Sequence, residues 1–327
     1  MRKRRLLAGM LAMAWALCSA CAAGETKPEA TEAPSEEPSA GFILPDDIRV
    51  DTQGVPQLRV YVEKEETVRS MDLEEYLCGV LAGEMKNDWP QEALKAQAIL
   101  ARTFVIKFIT EKESQYEGAD ISTDINEAQA YDASGVNDRI RQAVADTRGQ
   151  IVCYDQMPIY AWFHAHSGGK TATAAEGLDY QDSAPYTQSV TSAESAQAPQ
   201  EDAAWSARFS EEAVLAACAD VGINAGEHVE SVTAGNRGES GRMETLAVNG
   251  KAVPANEFRI AIGSGEMKST LLTGIAYADG TLQLSGKGYG HGVGMSQWGA
   301  YEMAENGKTA REIIEYYFKN VDIVQMW

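Results

Sequence analysis

Glycines fill five alternate positions in the run Gly286-Lys287-Gly288-Tyr289-Gly290-His291-Gly292-Val293-Gly294-Met295-Ser296-Gln297-Trp298-Gly299. In an extended chain one face of such a segment is bare, while the other offers Lys287, Tyr289 and His291. A bare face admits a ring or another backbone at close range. Each glycine costs about 0.5–1 kcal/mol in chain entropy, so five in register point to a structural demand. A dinucleotide fingerprint is excluded, because G-x-G-x-x-G between a strand and a helix does not occur here. A glycine-lined bend remains the plainer alternative.

The elements around this run do not alternate regularly, which points to an α+β fold rather than a doubly wound one. Leu58–Val62 alternates as a strand does. A helix is expected over about 72–85, with Asp72 and Glu75 as a D-x-x-E capping pair. A second starts near Pro90 and runs to about Phe108; its Ala93, Ala96, Ala98 and Ala101 let neighbours pack close to the axis. A third spans 137–147 and ends at Gly149. Strands 151–154 and 158–164 turn at Asp155-Gln156, and residues 190–204 read as a small polar loop or edge insertion. Ser210 caps a short helix to about Ala219, mixed strands fill 229–284 around a short helix near 256–262, and two helices flank Asn306-Gly307, the second with a Thr309/Glu312 capping box. The expected architecture is a single mixed domain over 48–327 with a central cleft and a wing subdomain at about 185–250.

The formal charge of −20 argues against nucleic acid, which needs clustered Lys and Arg. A neutral polymer stays allowed. Arg2, Lys3, Arg4 and Arg5 precede a short apolar run, Leu6 to Leu17, and small residues follow, so residues 1–23 read as an export signal. Removing it takes the charge to about −24. Cys21 after Ser19 and Ala20 resembles a lipoprotein cleavage site, although Cys18 stands where such sites prefer Leu; cleavage after Ala22 or Ala23 is the alternative. Residues 24–47, rich in Glu, Pro, Ala, Ser and Thr, read as a disordered tether. The expected location is the outer face of the membrane or the wall, with membrane contact through the N-terminal anchor alone. Cys78, Cys153 and Cys218 remain, an odd number that allows at most one bridge.

Three places carry candidate chemistry. Leu73, Tyr76, Leu77, Val80 and Leu81 form one helical stripe, and Glu84 falls where the stripe continues. Burial and a helix C-terminus both raise a carboxyl pKa, the condition for general acid catalysis near neutral pH. Periodicity alone leaves a solvated helix-end residue open. Arg102 follows the alanine face of the second helix, where it suits a carboxylate or a substrate oxygen, or plain exposure. The segment Trp162–Thr171 ends in Ser167-Gly168-Gly169-Lys170 and holds His164 and His166. A Walker A loop fails, since His164 and Ala165 stand where its first glycine belongs. A zinc site with Cys153 lacks a fourth ligand. A polar loop lining a cleft is the third reading.

At this point the residues match a family. LEEYLCGVLAGEM…WPQEALKAQAILARTF and GKGYGHGVGMSQWGAYEMAENGKTAREIIEYYF resemble the two signatures of the stage II sporulation protein D and amidase-enhancer family. AQAYDA, PIYAWFHAHSGGKT and FRIAIG fit between them, so the resemblance runs from about residue 58 to 325. It implies a lytic transglycosylase that cuts peptidoglycan glycan strands stripped of their peptides. It implies Glu84 as the catalytic acid, with Arg102, Gln129, Tyr131, His164, Ser167, Gly168, Gly169, His291, Ser296 and Gln297 at the substrate. No cofactor is implied. A cell-wall amidase is an expected partner, and a non-catalytic enhancer of such an amidase is the alternative function. His166 departs from the small polar residue usual at its place. Metal-binding members use His and Cys near the S-G-G turn, where this chain has no Cys, so no metal is expected. No second carboxylate stands in the motifs apart from Asp124, which favours cyclisation over two-carboxylate hydrolysis.

Overall fold

The computed structural model describes residues 42–327. The expected leader, Cys21 and residues 24–41 lie outside the described residues. Phe42 and Leu44 already pack against the core, ahead of Ile48, where the sequence places the start of the folded part.

Helix α1 (Leu73–Glu84) begins where Asp72 accepts the N–H groups of Glu74 and Glu75 at 2.8 and 3.3 Å. Asp72 is therefore a one-sided cap, and the reciprocal Glu75 bond of a capping box does not form. Leu73, Tyr76, Leu77, Val80 and Leu81 are fully buried, as the stripe requires. The helix stops at Glu84 because Met85 turns to extended backbone, and its N–H still reaches Leu81 O at 3.0 Å.

Helix α2 (Gln91–Glu111) is the central element. It packs against α1, against α3 (Asp138–Asp146), against the strand Gln150–Tyr154 and against both C-terminal helices, Gln297–Glu305 and Ala310–Tyr317. Ala93, Ala96, Ala98 and Ala101 are all at zero exposure, so small side chains line the approach on more than one face. The strands gather in small sheets. Pro56–Val62 pairs antiparallel with Arg49–Val50 and Thr67–Asp72, and parallel with Ile121–Ser122. Gln150–Tyr154 lies between Asp322–Gln325 and Met157–Pro158, both antiparallel. Asp155 and Gln156 turn that hairpin with φ of 49° and 64°, the left-handed pair of a tight hairpin turn. The strand expected over 158–164 is broken: only Met157–Pro158 stays in this sheet, and Phe163–His164 pairs in parallel with Met295–Ser296 instead.

A second hydrophobic core gathers residues between Trp205 and Leu284. One of its sheets is Trp205–Ser210, Thr281–Gly286 and Leu272–Ala278; the other is Val232–Ala234, Thr245–Val248 and Lys251–Pro254. Ser210 caps the Glu211–Asp220 helix, and Thr309 with Glu312 makes the expected capping box. The architecture is mixed α+β. Cys78, Cys153 and Cys218 are buried and unbridged. Among the described residues no helix is long and apolar enough to cross a membrane.

One buried ion pair pins α1 to α2. Arg102, at zero exposure, donates Nε to Glu74 Oε1 at 3.1 Å and Nη2 to Oε2 at 2.6 Å. Its Nη1 also reaches Gln150 O at 3.1 Å, and Glu74 Oε1 accepts from Gly149 N–H and Trp327 Nε1. Four chain segments thus meet on two side chains. Breaking a buried pair strands the surviving charge, which costs about 3–5 kcal/mol. Glu74→Gln is expected to lose stability on that scale in urea unfolding at pH 7; a loss below about 1 kcal/mol would show the pair to be dispensable.

Candidate functional site

Glu84 is brought into contact by two glycines on its own helix. Gly79 and Gly83 sit one turn apart, and the 130–132 backbone lies directly across them. A Cβ on Gly83 would meet Tyr131 N at 2.6 Å and Ala130 C at 2.7 Å, and one on Gly79 would run into the Tyr131 ring. The covering chain is tied down by Asp132 N–H to Gly79 O at 2.9 Å. This approach delivers Ala130 N–H to Glu84 Oε1 at 2.8 Å. From the far end of the sequence, Gln297 Nε2 reaches Glu84 O at 3.2 Å.

The Glu84 carboxyl is half-buried, and its pKa rises from 4.5 to about 7. Desolvation drives the rise, and the Ala130 N–H and the Gln297 amide oppose it without cancelling it. Near neutral pH this carboxyl therefore holds a proton about half the time.

The other expected residues divide into three groups. Gln297 touches Glu84, and Gln129 and Tyr131 flank Ala130. Tyr131 is half-buried over Gly79 and stacks on Tyr76 at 5.6 Å. Ser167 and Ser296 are fully buried and meet through a residue the sequence did not single out, Glu194. Glu194 Oε1 accepts from the Ser167 hydroxyl and, at 3.1 Å, from its N–H; Oε2 accepts from the Ser296 hydroxyl at 2.7 Å. Ser296 directly precedes Gln297 and caps its helix, so the contacts run without a break from Ser167 through Glu194 and Ser296 to Gln297 and Glu84.

The third group does not line a surface. Arg102 is spent on Glu74, at the opposite end of α1 and ten residues from Glu84, about 15 Å by helical rise. Its expected place at the substrate is corrected to a structural one. Gln129 is buried, and neither its amide oxygen nor its nitrogen has a partner or solvent exposure. His164 is buried too. Its Nδ1 lies 3.1 Å from Val293 O and must carry the proton, since a carbonyl only accepts. Nε2 is then a bare lone pair with no donor. Burial, His291 and Arg242 keep this imidazole neutral. These side chains are internal rather than open to a polymer. Asp124 is likewise engaged, by Tyr116 Oη at 2.7 Å and Asn126 N–H at 2.8 Å.

The glycine run corrects the expected extended ribbon. Gly288, Gly290, Gly292 and Gly294 all have positive φ, so the segment winds in irregular coil. Its glycines serve close approach. A Cβ on Gly294 would collide with Trp162 O, and one on Gly292 with the Arg242 guanidinium. His291 is half-buried there, its Nδ1 accepting from Val293 N–H at 3.0 Å, and burial drops its pKa to about 3. Arg242, also missed in the sequence, donates to Ser167 O at 2.6 Å and Lys170 O at 2.7 Å, clamping both ends of the S-G-G turn. Within that turn Gly168 packs against Leu271 and the Lys287 backbone, while Gly169 faces open space. Among the described residues no three His, Cys, Asp or Glu side chains gather as a metal site would need.

Residues 61–154, which hold Glu84 and the chain that covers it, match the family model described as Stage II sporulation protein. The chain is 33% identical over 282 residues to Stage II sporulation protein D of Bacillus amyloliquefaciens, covering 81% of this chain and 77% of that one. It is 31% identical over 281 residues to the Bacillus subtilis protein of that name, covering 81% and 78%. It is 26% identical over 287 residues to the Amidase enhancer of Bacillus subtilis, covering 74% of this chain and 39% of that one. The chain belongs to the stage II sporulation protein D family.

The raised Glu84 pKa makes a stability prediction. Between 4.5 and about 7 the folded state binds a proton that the unfolded state has lost. The stabilising contribution is complete below pH 4.5 and disappears as pH rises through 7. Above pH 7, Glu84→Gln should be more stable than the parent by about 2–3 kcal/mol, and level with it below pH 4.5. Parallel unfolding curves at every pH would contradict the shift.

Proposed function

We propose that the protein is a lytic transglycosylase that cleaves the MurNAc–GlcNAc bond of peptide-free peptidoglycan strands and leaves 1,6-anhydro-MurNAc ends. The observation that supports this most is the half-buried Glu84 carboxyl, poised near neutral pH where the two end motifs meet. Oε1 is held by Ala130 N–H, which leaves Oε2 to carry the proton. Glu84 donates that proton to the glycosidic oxygen as the bond to MurNAc C1 breaks. The carboxylate so formed is stabilised by the Ala130 N–H. It then takes the C6 hydroxyl proton as O6 closes on C1. Glu84 ends protonated, and no water is consumed.

A two-carboxylate hydrolase needs a second free carboxylate about 5–9.5 Å from the first. Both oxygens of Glu194 and both of Asp124 are taken by protein donors, which favours one group serving both steps. Glu194 then acts as a positioning residue for the Ser167 turn and the start of the Gln297 helix. Tyr131, Gly169 and His291 are the expected residues left to meet sugar, while Gln297 is buried against Glu84. The reading includes export, with the leader and Cys21 placing the enzyme at the outer face of the membrane, and a cell-wall amidase that supplies stripped strands. The likeness to a protein named Amidase enhancer supports a second reading, in which the same site binds glycan without cutting it and stimulates an amidase.

Incubation with peptide-free glycan and mass spectrometry of the products separates the two. Anhydro-muramic ends, lost in Glu84→Gln while glycan binding persists, are expected of the enzyme. Unchanged glycan together with a stimulated amidase would establish the enhancer. For the enzyme, kcat/KM should fall as pH rises above about 7, because the acid form of Glu84 is then depleted. A rate that climbs through pH 8 would exclude Glu84 as the acid.

A further inference from the structure

Lys86 stands two residues past Glu84. Met85 is extended, with φ −130° and ψ 153°, and its side chain is buried in the core. Glu84 is the last residue of α1 and Lys86 follows in coil, so the two stand on either side of this buried anchor. The lysine is exposed, and its ammonium lies over the Trp298 ring, 5.6 Å from the centroid. Trp298 follows Gln297, whose amide reaches Glu84. The cation is thus attached to the Glu84 site twice, through Met85 on one side and through the Gln297–Trp298 step on the other.

Lys86 is also unspent. Lys86 forms no ion pair among the described residues, as is true of Lys64, Lys112, Lys251, Lys287 and Lys319, but it alone of these lies over Trp298. The chain around it carries a formal charge of −20, which repels an anionic polymer. A strand stripped of its peptides is such a polymer: hydrolysis of each peptide's amide bond leaves the lactyl group on MurNAc as a free carboxylate. When the peptide is attached, that same position is a neutral amide.

We propose that Lys86 is a specificity-determining residue, whose ammonium, held over Trp298, takes the lactyl carboxylate of the muramic acid at the Glu84 site and so distinguishes stripped strands from peptide-bearing ones. The inference rests on the glycan substrate of the proposed function. A point charge on a flexible stem suits a carboxylate that must be released with each product. An indole face keeps that stem in place and is retained if only the charge is removed.

The test is run in the full chain carrying Glu84→Gln, so that binding is read without cleavage. Two ligands are compared: peptide-free glycan with free lactyl carboxylates, and the same glycan with those carboxylates capped as methylamides. Lys86→Met, which keeps the stem on the ring, should weaken binding of the carboxylate form about fivefold and leave the capped form unchanged. Lys86→Arg should restore the preference, and raised salt should erase it. Equal weakening on both ligands, or none on the carboxylate form, would overturn the assignment. Failure of the transglycosylase reading shows elsewhere, as uncut glycan with the Glu84 protein, while the difference between the two ligands stays measurable.

Discussion

The site depends on one close approach of two backbones. Gly79 and Gly83 strip a strip of α1 of its side chains, and the 130–132 chain occupies the space. That contact shields Glu84 from water and at the same time supplies the Ala130 N–H at 2.8 Å. The two effects oppose each other in the pKa: desolvation favours the acid, and the hydrogen bond favours the carboxylate. Their balance near neutrality is what a group needs if it must both give and regain a proton. A deeper pocket would hold the carboxyl protonated, and a second backbone donor would hold it ionised.

The rest of the fold keeps distant segments in register with that contact. Gln297 is 213 residues from Glu84 in sequence, yet its helix packs on α2 alongside α1. The alanine faces of α2 permit that crowding. Glu74 and Arg102 lock the far end of α1, so its last turn is carried on a fixed element. Beyond the carboxyl, Glu194 joins Ser167 to Ser296, and Arg242 clamps the turn that Ser167 opens. Each of these side chains acts on backbone or on another side chain, so the surface left to substrate is small.

Much of the scaffold was legible in the sequence because it rests on local rules. The caps at Asp72, Ser210 and Thr309, the Asp155-Gln156 turn and the apolar stripe of α1 all stand where pattern placed them. Glu84 was visible as a carboxylate on an apolar stripe, although only the family motifs separated it from an exposed helix end. What escaped depends on contacts between remote segments. Glu194 sits in a small polar stretch with no periodicity to mark it. Arg102 read as a surface or cleft cation and Arg242 was not singled out, since nothing local shows that Glu74 or the Ser167 carbonyl will meet them. The glycine run was read as strand because alternation is the signature of strand. Its four left-handed glycines instead answer to the 162–167 chain and Arg242 packed against them.

The central claim is that the fold, and not the glycan, sets the Glu84 proton. The most direct measurement is a carbon-13 NMR titration of the Glu84 side-chain carboxyl in the protein without glycan. The account expects a midpoint near 7, against 4.5 for an ordinary glutamate. A midpoint near 4.5 would mean that the carboxyl is solvated and ionised at rest, and would contradict the account.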